Sequence, residues 1–135
     1  MAKKIEVYVE KSPNGEYWGT TQNIVGVVSS VGNSLENLER NLTEAMNDHI
    51  EIAEELGEDY IQEYKDFSFE FKLDLQSFFD LIPEIKISNL ADKADINPSL
   101  LRQYKTGKAN ASIGQLKKIE KAVHQLGNEL LSVSF

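Results

Sequence analysis

Phe67, Phe69, Phe71, Leu73 and Leu75 alternate without a break with Ser68, Glu70, Lys72 and Asp74. Side chains on a strand point to opposite faces with period two, so this stretch buries its apolar row only as a half-buried strand. A helix of 3.6 residues per turn would scatter those five residues around its axis. Beyond residue 76 the apolar spacing changes to threes and fours. The segment therefore demands a sheet and also marks where that sheet stops, dividing the chain into residues 1–76 and 77–135. With 135 residues in all, two such halves are small enough to need each other or a second copy of the chain.

The first half supplies the remaining strands. Ile5-Glu6-Val7-Tyr8-Val9 alternates and leads into Ser12-Pro13-Asn14-Gly15, a hairpin turn in which Asn and Gly accept positive φ. A return strand is expected over 16–21 and a third over 25–31. Asn33 or Ser34 can then cap a helix of about 20 residues with Leu35, Leu38, Leu42, Ala45, Met46, His49, Ala53 and Leu56 along one side, stopping at Gly57. The order β-β-β-α-β predicts an α+β domain whose helix covers one face of a sheet.

The second half reads as helices alone. Ser77 is the expected cap of a short helix over 78–85, and Ser88 of the next, which carries Leu90, Ala91 and Ala94. Asp95-Ile96-Asn97 makes a tight turn, Asn97 caps, and Pro98 takes the first helical position, where its missing N–H costs nothing. Leu101 and Tyr104 point inward and Thr106-Gly107 closes that helix. A last helix follows Ser112 with Ile113, Leu116, Ile119, Val123 and Leu126 inward, ending near Gly127. Leu131-Ser132-Val133-Ser134-Phe135 alternates again and reads as a short terminal strand.

Charge separates the halves as well. Residues 1–82 hold six Lys and Arg against seventeen Asp and Glu, whereas residues 83–135 hold eight against five. An acidic half repels nucleic acid and suits a basic partner; the second half can sit on a polyanion.

Two short helices, a tight turn and a long supporting helix form the helix-turn-helix arrangement. Residues 90–108, Leu-Ala-Asp-Lys-Ala-Asp-Ile-Asn-Pro-Ser-Leu-Leu-Arg-Gln-Tyr-Lys-Thr-Gly-Lys, resemble the Xre or Cro/C1-type DNA-binding module. Ala91 matches its small crossing residue, Ile96 its apolar turn residue, Leu101 and Tyr104 its inner side and Gly107 its stop. Asp95 stands where that family has Gly and must adopt a left-handed conformation. With Leu101 and Tyr104 inward, Pro98, Ser99, Arg102 and Gln103 face outward toward bases. Arg102 can donate two hydrogen bonds to guanine, Gln103 can pair both ways with adenine, Ser99 is adaptable, and Leu100 can touch a thymine methyl. Lys105 and Lys108, with the backbone near Asn97, would hold phosphates. Lys117, Lys118 and Lys121 form a solvated helix face.

Asn14-Gly15-Glu16-Tyr17-Trp18, followed by Gly26-Val27-Val28-Ser29-Ser30-Val31-Gly32-Asn33-Ser34-Leu35-Glu36-Asn37-Leu38 and a helix, is similar to the HicB family of antitoxins. That resemblance implies a degenerate ribonuclease-H-like domain tethered to a DNA-binding module. The family's Pro-Asp-x-Pro-Gly run before the third strand is here Gln22-Asn23-Ile24-Val25-Gly26. It also implies a repressor that binds double-stranded DNA and neutralises a small basic HicA-like ribonuclease toxin, working as a homodimer or higher homo-oligomer. The alternative is a stand-alone dimeric regulator without a toxin. Anchors for a partner are expected near Tyr17 and Trp18, and pairing edges at 67–75 and 131–135.

Enzymatic chemistry finds little support in the residues. Metal-dependent ribonuclease-H cleavage needs several carboxylates converging on two ions. Glu6, Glu10, Glu39 and Asp74 are the candidates, and all read as ordinary surface acids. No catalytic residue, metal ligand or cofactor is expected, and His49 reads as a core or interface histidine, His124 as surface and Trp18 as sheet packing. The chain has no cysteine, which removes thiol nucleophiles, disulfides and cysteine metal sites. No apolar run approaches a membrane span, and Met1-Ala2-Lys3-Lys4-Ile5-Glu6 runs into the first strand without a signal-peptide core. A cytoplasmic location with no membrane association is the expectation.

Overall fold

Ile5, Val7 and Val9 are all buried, which accounts for the inner position of their strand, β1 (Lys3–Lys11). The structure, a computed structural model, describes residues 3–135; Met1 and Ala2, the start of the stretch read as leading into that strand, lie outside the described residues. The fold is mixed α and β. β2 (Tyr17–Thr21) and β3 (Ser29–Gly32) follow β1 as an antiparallel meander, and β4 (Phe67–Lys72) joins β1 in parallel, giving the sheet order β3-β2-β1-β4. Register places Phe69 beside Ile5 and Phe71 beside Val7, while Val9 stands opposite Gly19 and Val7 opposite Thr21. The phenylalanine row of β4 therefore shares the buried face of β1.

The helix α1 (Leu35–Glu55) covers that face. Ser34 caps it, its Oγ accepting from Asn37 N–H at 3.0 Å, and Leu38, Leu42, Met46 and Ala53 are buried. Each of the three larger side chains contributes about 1.5–3 kcal/mol by leaving water. The chain enters α1 so tightly at Gly32 that a Cβ there would lie 2.6 Å from the Leu38 backbone nitrogen. Leu56 does not continue the stripe, being 71% exposed, because Leu56 and Gly57 already turn the chain away from the helix axis. A 3-10 helix at Asp59–Tyr64 then buries Ile61 and Tyr64 before β4.

Two strands are shorter than the apolar pattern predicts. Residues 22–28 form a loop instead of the first half of β3. Asn23 Oδ1 accepts from Glu6 N–H and its Nδ2 donates to the Lys4 carbonyl, while Tyr64 Oη takes Val25 N–H and Thr21 Oγ1 takes Val28 N–H. These bonds occupy the groups a longer ladder would use. β4 stops at Lys72 because Asp74 Oδ1 accepts from Ser77 N–H at 2.7 Å, which starts the helix α2 (Leu75–Leu81). Leu73 and Leu75 are thus outside the strand. Ser77 is buried within α2 rather than capping a helix at 78.

By its internal packing the chain falls into two units, Met1–Ser77 and Phe78–Phe135, with the boundary inside α2. The second unit holds α3 (Ile87–Ala94), α4 (Pro98–Thr106) and α5 (Ile113–Leu131). Helix α3 begins at Ile87 with Lys86 as its cap residue and no side-chain bond, so Ser88 is not the cap. Leu90, Ala91 and Ala94 of α3, Leu101 and Tyr104 of α4 and Ile119 and Ala122 of α5 are buried, with Ile96 of the turn among them. Helix α5 passes through Gly127 to Leu131, one turn further than the glycine predicts. Ser132 closes it, and Ser132-Val133-Ser134-Phe135 forms no strand.

Candidate nucleic-acid interface

The outward surface of α4 is set by how its two ends are held. Asn97 Oδ1 accepts from Ser99 N–H at 2.8 Å, which satisfies a first-turn donor, and Pro98 follows at the start of the helix. At the far end Gly107, with φ 81°, donates to the Tyr104 carbonyl and Lys108 N–H donates to Gln103. That pair of bonds is a Schellman closure. Leu101 is fully buried and Tyr104 is 6% exposed, so the helix cannot rotate without unburying both.

The turn before α4 is fixed in the same manner. Asp95 takes φ 57° and ψ 50°, the left-handed conformation its position demands. Asp95 N–H donates to Asp92 and Ile96 N–H to Ala91, a second Schellman closure, and Ile96 then buries its side chain. A non-glycine residue is tolerated here because Asp is among the side chains that enter this region most readily.

With both ends held, Asn97, Pro98, Ser99, Arg102, Gln103, Lys105 and Lys108 are all exposed. Leu100 is half-buried, which leaves only part of it for an outside contact. Ser99, Arg102 and Gln103 share the side of α4 opposite Leu101 and Tyr104. Lys105 and Lys108 lie at its C-terminal end. Thr106 Oγ1 donates to the Arg102 and Gln103 carbonyls, but among the described residues no ion pair or hydrogen bond engages the side chains of Arg102, Gln103, Lys105 or Lys108. Lys93, by contrast, is held by Glu129 at 2.9 Å across α3 and α5.

The sequence carries a further signal at this surface. Residues 96–119 contain Arg102, Lys105, Lys108, Lys117 and Lys118 and not one Asp or Glu. An acid-free stretch spanning the turn, α4 and the start of α5 leaves nothing local to neutralise those cations.

In the first unit the structure rearranges the expected partner anchors. Tyr17 is 3% exposed and packs into the core, so it offers nothing to a partner. Trp18 is 48% exposed and Tyr8 53%, both on the sheet face away from α1. Trp18 stands opposite Glu10 and Val31, and Tyr8 opposite Thr20, with Glu6 on the same face. Trp18 is therefore a surface aromatic rather than sheet packing. The phase of β1 carried this information: Tyr8 lies out of step with Ile5, Val7 and Val9.

The acids that could serve metal chemistry do not come together. Glu6 and Glu10 lie on β1, Glu39 is exposed on α1, and Asp74 is committed to Ser77 N–H. Among the described residues no three carboxylates or imidazoles could hold an ion. His49 is half-buried on α1 against Gly26, and its Nε2 is enclosed with no hydrogen-bond partner. His124 is exposed on α5. No helix is long and apolar enough to cross a membrane among the described residues. Comparison of the chain with protein-family models, curated proteins and solved structures finds no match.

Proposed function

We propose that the protein is a sequence-specific DNA-binding repressor in which α3, the turn at Asp95 and Ile96, and α4 act as a helix-turn-helix of the Xre or Cro/C1 type. The observation that carries this reading is α4 itself: clamped at both ends and anchored by Leu101 and Tyr104, it offers the side chains of Ser99, Arg102 and Gln103 to solvent with no internal bond to hold them. Arg and Gln are the side chains whose paired donors and acceptors match guanine and adenine edges in the major groove. Lys105 and Lys108, with the Asn97 turn, would contact phosphates and set the register. The test selects a preferred duplex from a random library and titrates it by fluorescence anisotropy at two salt concentrations. Enrichment of a palindromic sequence supports the reading; equal binding of all duplexes, or none at low salt, defeats it.

In the same proposal the first unit is a HicB-like antitoxin domain. Its carboxylate surplus favours a basic partner, and a ribonuclease that grips RNA phosphates is basic. Trp18 and Tyr8 on the open sheet face supply the aromatic anchors such a complex needs. Co-expression with the product of the neighbouring gene, read by RNA protection, tests it: a small basic protein that binds the first unit and is inhibited by it supports the reading. A stand-alone dimeric regulator is the second reading. The loop at 22–28 favours it, since Asn23, Thr21 and Tyr64 tie that loop back onto its own unit.

A further inference from the structure

The turn between β1 and β2 carries reactive groups outside the surfaces described above. Of the ten asparagines in the chain, Asn14 is the one followed by glycine. Each of the others precedes a residue whose side chain or ring crowds the backbone nitrogen that an asparagine amide can react with. At Gly15 that crowding is absent: φ is 88°, and no atom lies within 4 Å of the place a Cβ would take. Asn14 and Gly15 are both exposed.

The amide of Asn14 is held and polarised by its neighbours. Its Oδ1 accepts from Ser12 Oγ and from Glu16 N–H, the latter at 3.2 Å, while its Nδ2 donates to Glu16 Oε1 at 2.9 Å. Ser12 N–H donates to the Glu16 carbonyl at 2.7 Å, which ties together the two residues that hold the amide, just beyond the Lys11–Tyr17 pair. The carbon between Oδ1 and Nδ2 is an electrophile, and donors aimed at an oxygen that gains negative charge lower the barrier to attack on that carbon. Gly15 N–H is itself held by the Ser12 carbonyl at 3.0 Å. Releasing one exposed turn bond costs less than two donors return at a developing oxyanion.

We propose that Asn14-Gly15 is a self-modification site, converted slowly to aspartate and isoaspartate, with the Ser12 hydroxyl and Glu16 N–H speeding the reaction. The Gly15 nitrogen gives its proton to solvent base, and its electron pair bonds to Asn14 Cγ. The Cγ–Nδ2 bond then breaks and Nδ2, taking a proton from water, departs as ammonia. A five-membered succinimide remains. Water adds to either of its two carbonyls and opens the ring, leaving a side-chain carboxylate or, in the iso form, a main chain that runs through Cγ. One water is consumed for each ammonia released. Either product alters the hairpin: Glu16 loses the donor it bonds and faces a second carboxylate, and the iso form adds one carbon to the turn that sets the pairing of Lys11 with Tyr17 and of Glu10 with Trp18. The site is thus a one-way clock for the sheet face that carries Trp18. It rests on neither the DNA-binding nor the partner reading.

The test incubates the full-length protein at neutral pH and body temperature. The peptide holding residues 12–18 is followed by mass spectrometry, with isoaspartate labelled by an isoaspartyl methyltransferase. Both products are expected at Asn14, formed faster in the folded protein than in the same chain unfolded in urea, and faster as pH rises because the attacking nitrogen must lose its proton. Ser12→Ala keeps both backbone bonds of residue 12 and should slow conversion about fivefold, the rate equivalent of one neutral hydrogen bond, with unchanged circular dichroism. Ser12→Thr, which restores a hydroxyl, should recover the wild-type rate. A folded protein that converts no faster than the unfolded chain would mean that the turn protects the amide. Conversion of Ser12→Ala at the wild-type rate or above would mean that the hydroxyl plays no part, and aspartate without isoaspartate would mean direct hydrolysis without ring closure. Each of these three results overturns the proposal; where Ser12→Ala changes the fold, the comparison of folded with unfolded wild type still decides it.

Discussion

The two units treat their positive charges in opposite ways. Each of the six Lys and Arg residues of the first has an internal partner: Lys4 and Lys72 meet Glu70, Arg40 meets Glu36, Lys65 meets Glu54, and Lys3 and Lys11 lie over the rings of Tyr64 and Tyr17. Of the eight in the second, Lys93 alone is in an ion pair among the described residues. Exposed pairs of this kind add little to stability, of order 0–1 kcal/mol each. Their consequence is availability: the first unit is left with unpaired carboxylates and the second with unpaired cations. One chain thus presents an acid-rich surface on one unit and unpaired cations on the other.

The largest effect that could break this contrast is ionic strength. If Lys105 and Lys108 of two copies engage about four phosphates, affinity for duplex DNA should fall on the order of 10²-fold between 50 and 200 mM salt. Lys4→Ala and Lys72→Ala should leave that dependence unchanged, and a matching loss on their replacement would erase the distinction between the units. Next come the cores. Leu42→Ala and Leu101→Ala, at fully buried positions, should each cost about 2–5 kcal/mol. Hydrogen exchange should report each loss mainly in its own unit; equal acceleration in both would show that the units unfold together.

Smaller effects sharpen the division within α4. Arg102→Ala should lose about 1–3 kcal/mol of specific binding and relax selectivity at one base pair. Lys108→Ala should weaken every sequence alike and lower the salt slope by about one. Asn97→Ala removes the bond to Ser99 N–H and should cost about 1 kcal/mol in urea unfolding. Lys93→Ala should be the mildest change, at most about 1 kcal/mol of stability with DNA affinity unaltered, because its partner is Glu129 and not a phosphate.

Much of the second unit was legible because its determinants are local. A cap bonds within three residues of itself, so Asn97, Ser112 and the left-handed positions at Asp95 and Gly107 could be read directly, and the outward side of α4 followed from Leu101 and Tyr104. The exceptions are local competitions between neighbouring residues. Asp74 outbid Ser77 as the start of α2, and Gly127 did not end α5.

The chain by itself determined the order of strands and helices, the amphipathic phase of each and the opposed charge of the halves, since these depend on spacing and on residues close in sequence. Tertiary structure decided what distant residues do to one another. The loop at 22–28 displaced half a predicted strand because Glu6, Lys4 and Tyr64, 17 to 39 residues away, supply its hydrogen bonds. Tyr17 and Trp18 are neighbours with no difference in pattern to rank them, yet pairing of β2 with β1 and β3 buries the first under α1 and leaves the second in water. The terminal alternation reads as a strand in sequence, but a strand needs a partner, and within one copy of the chain none is in place.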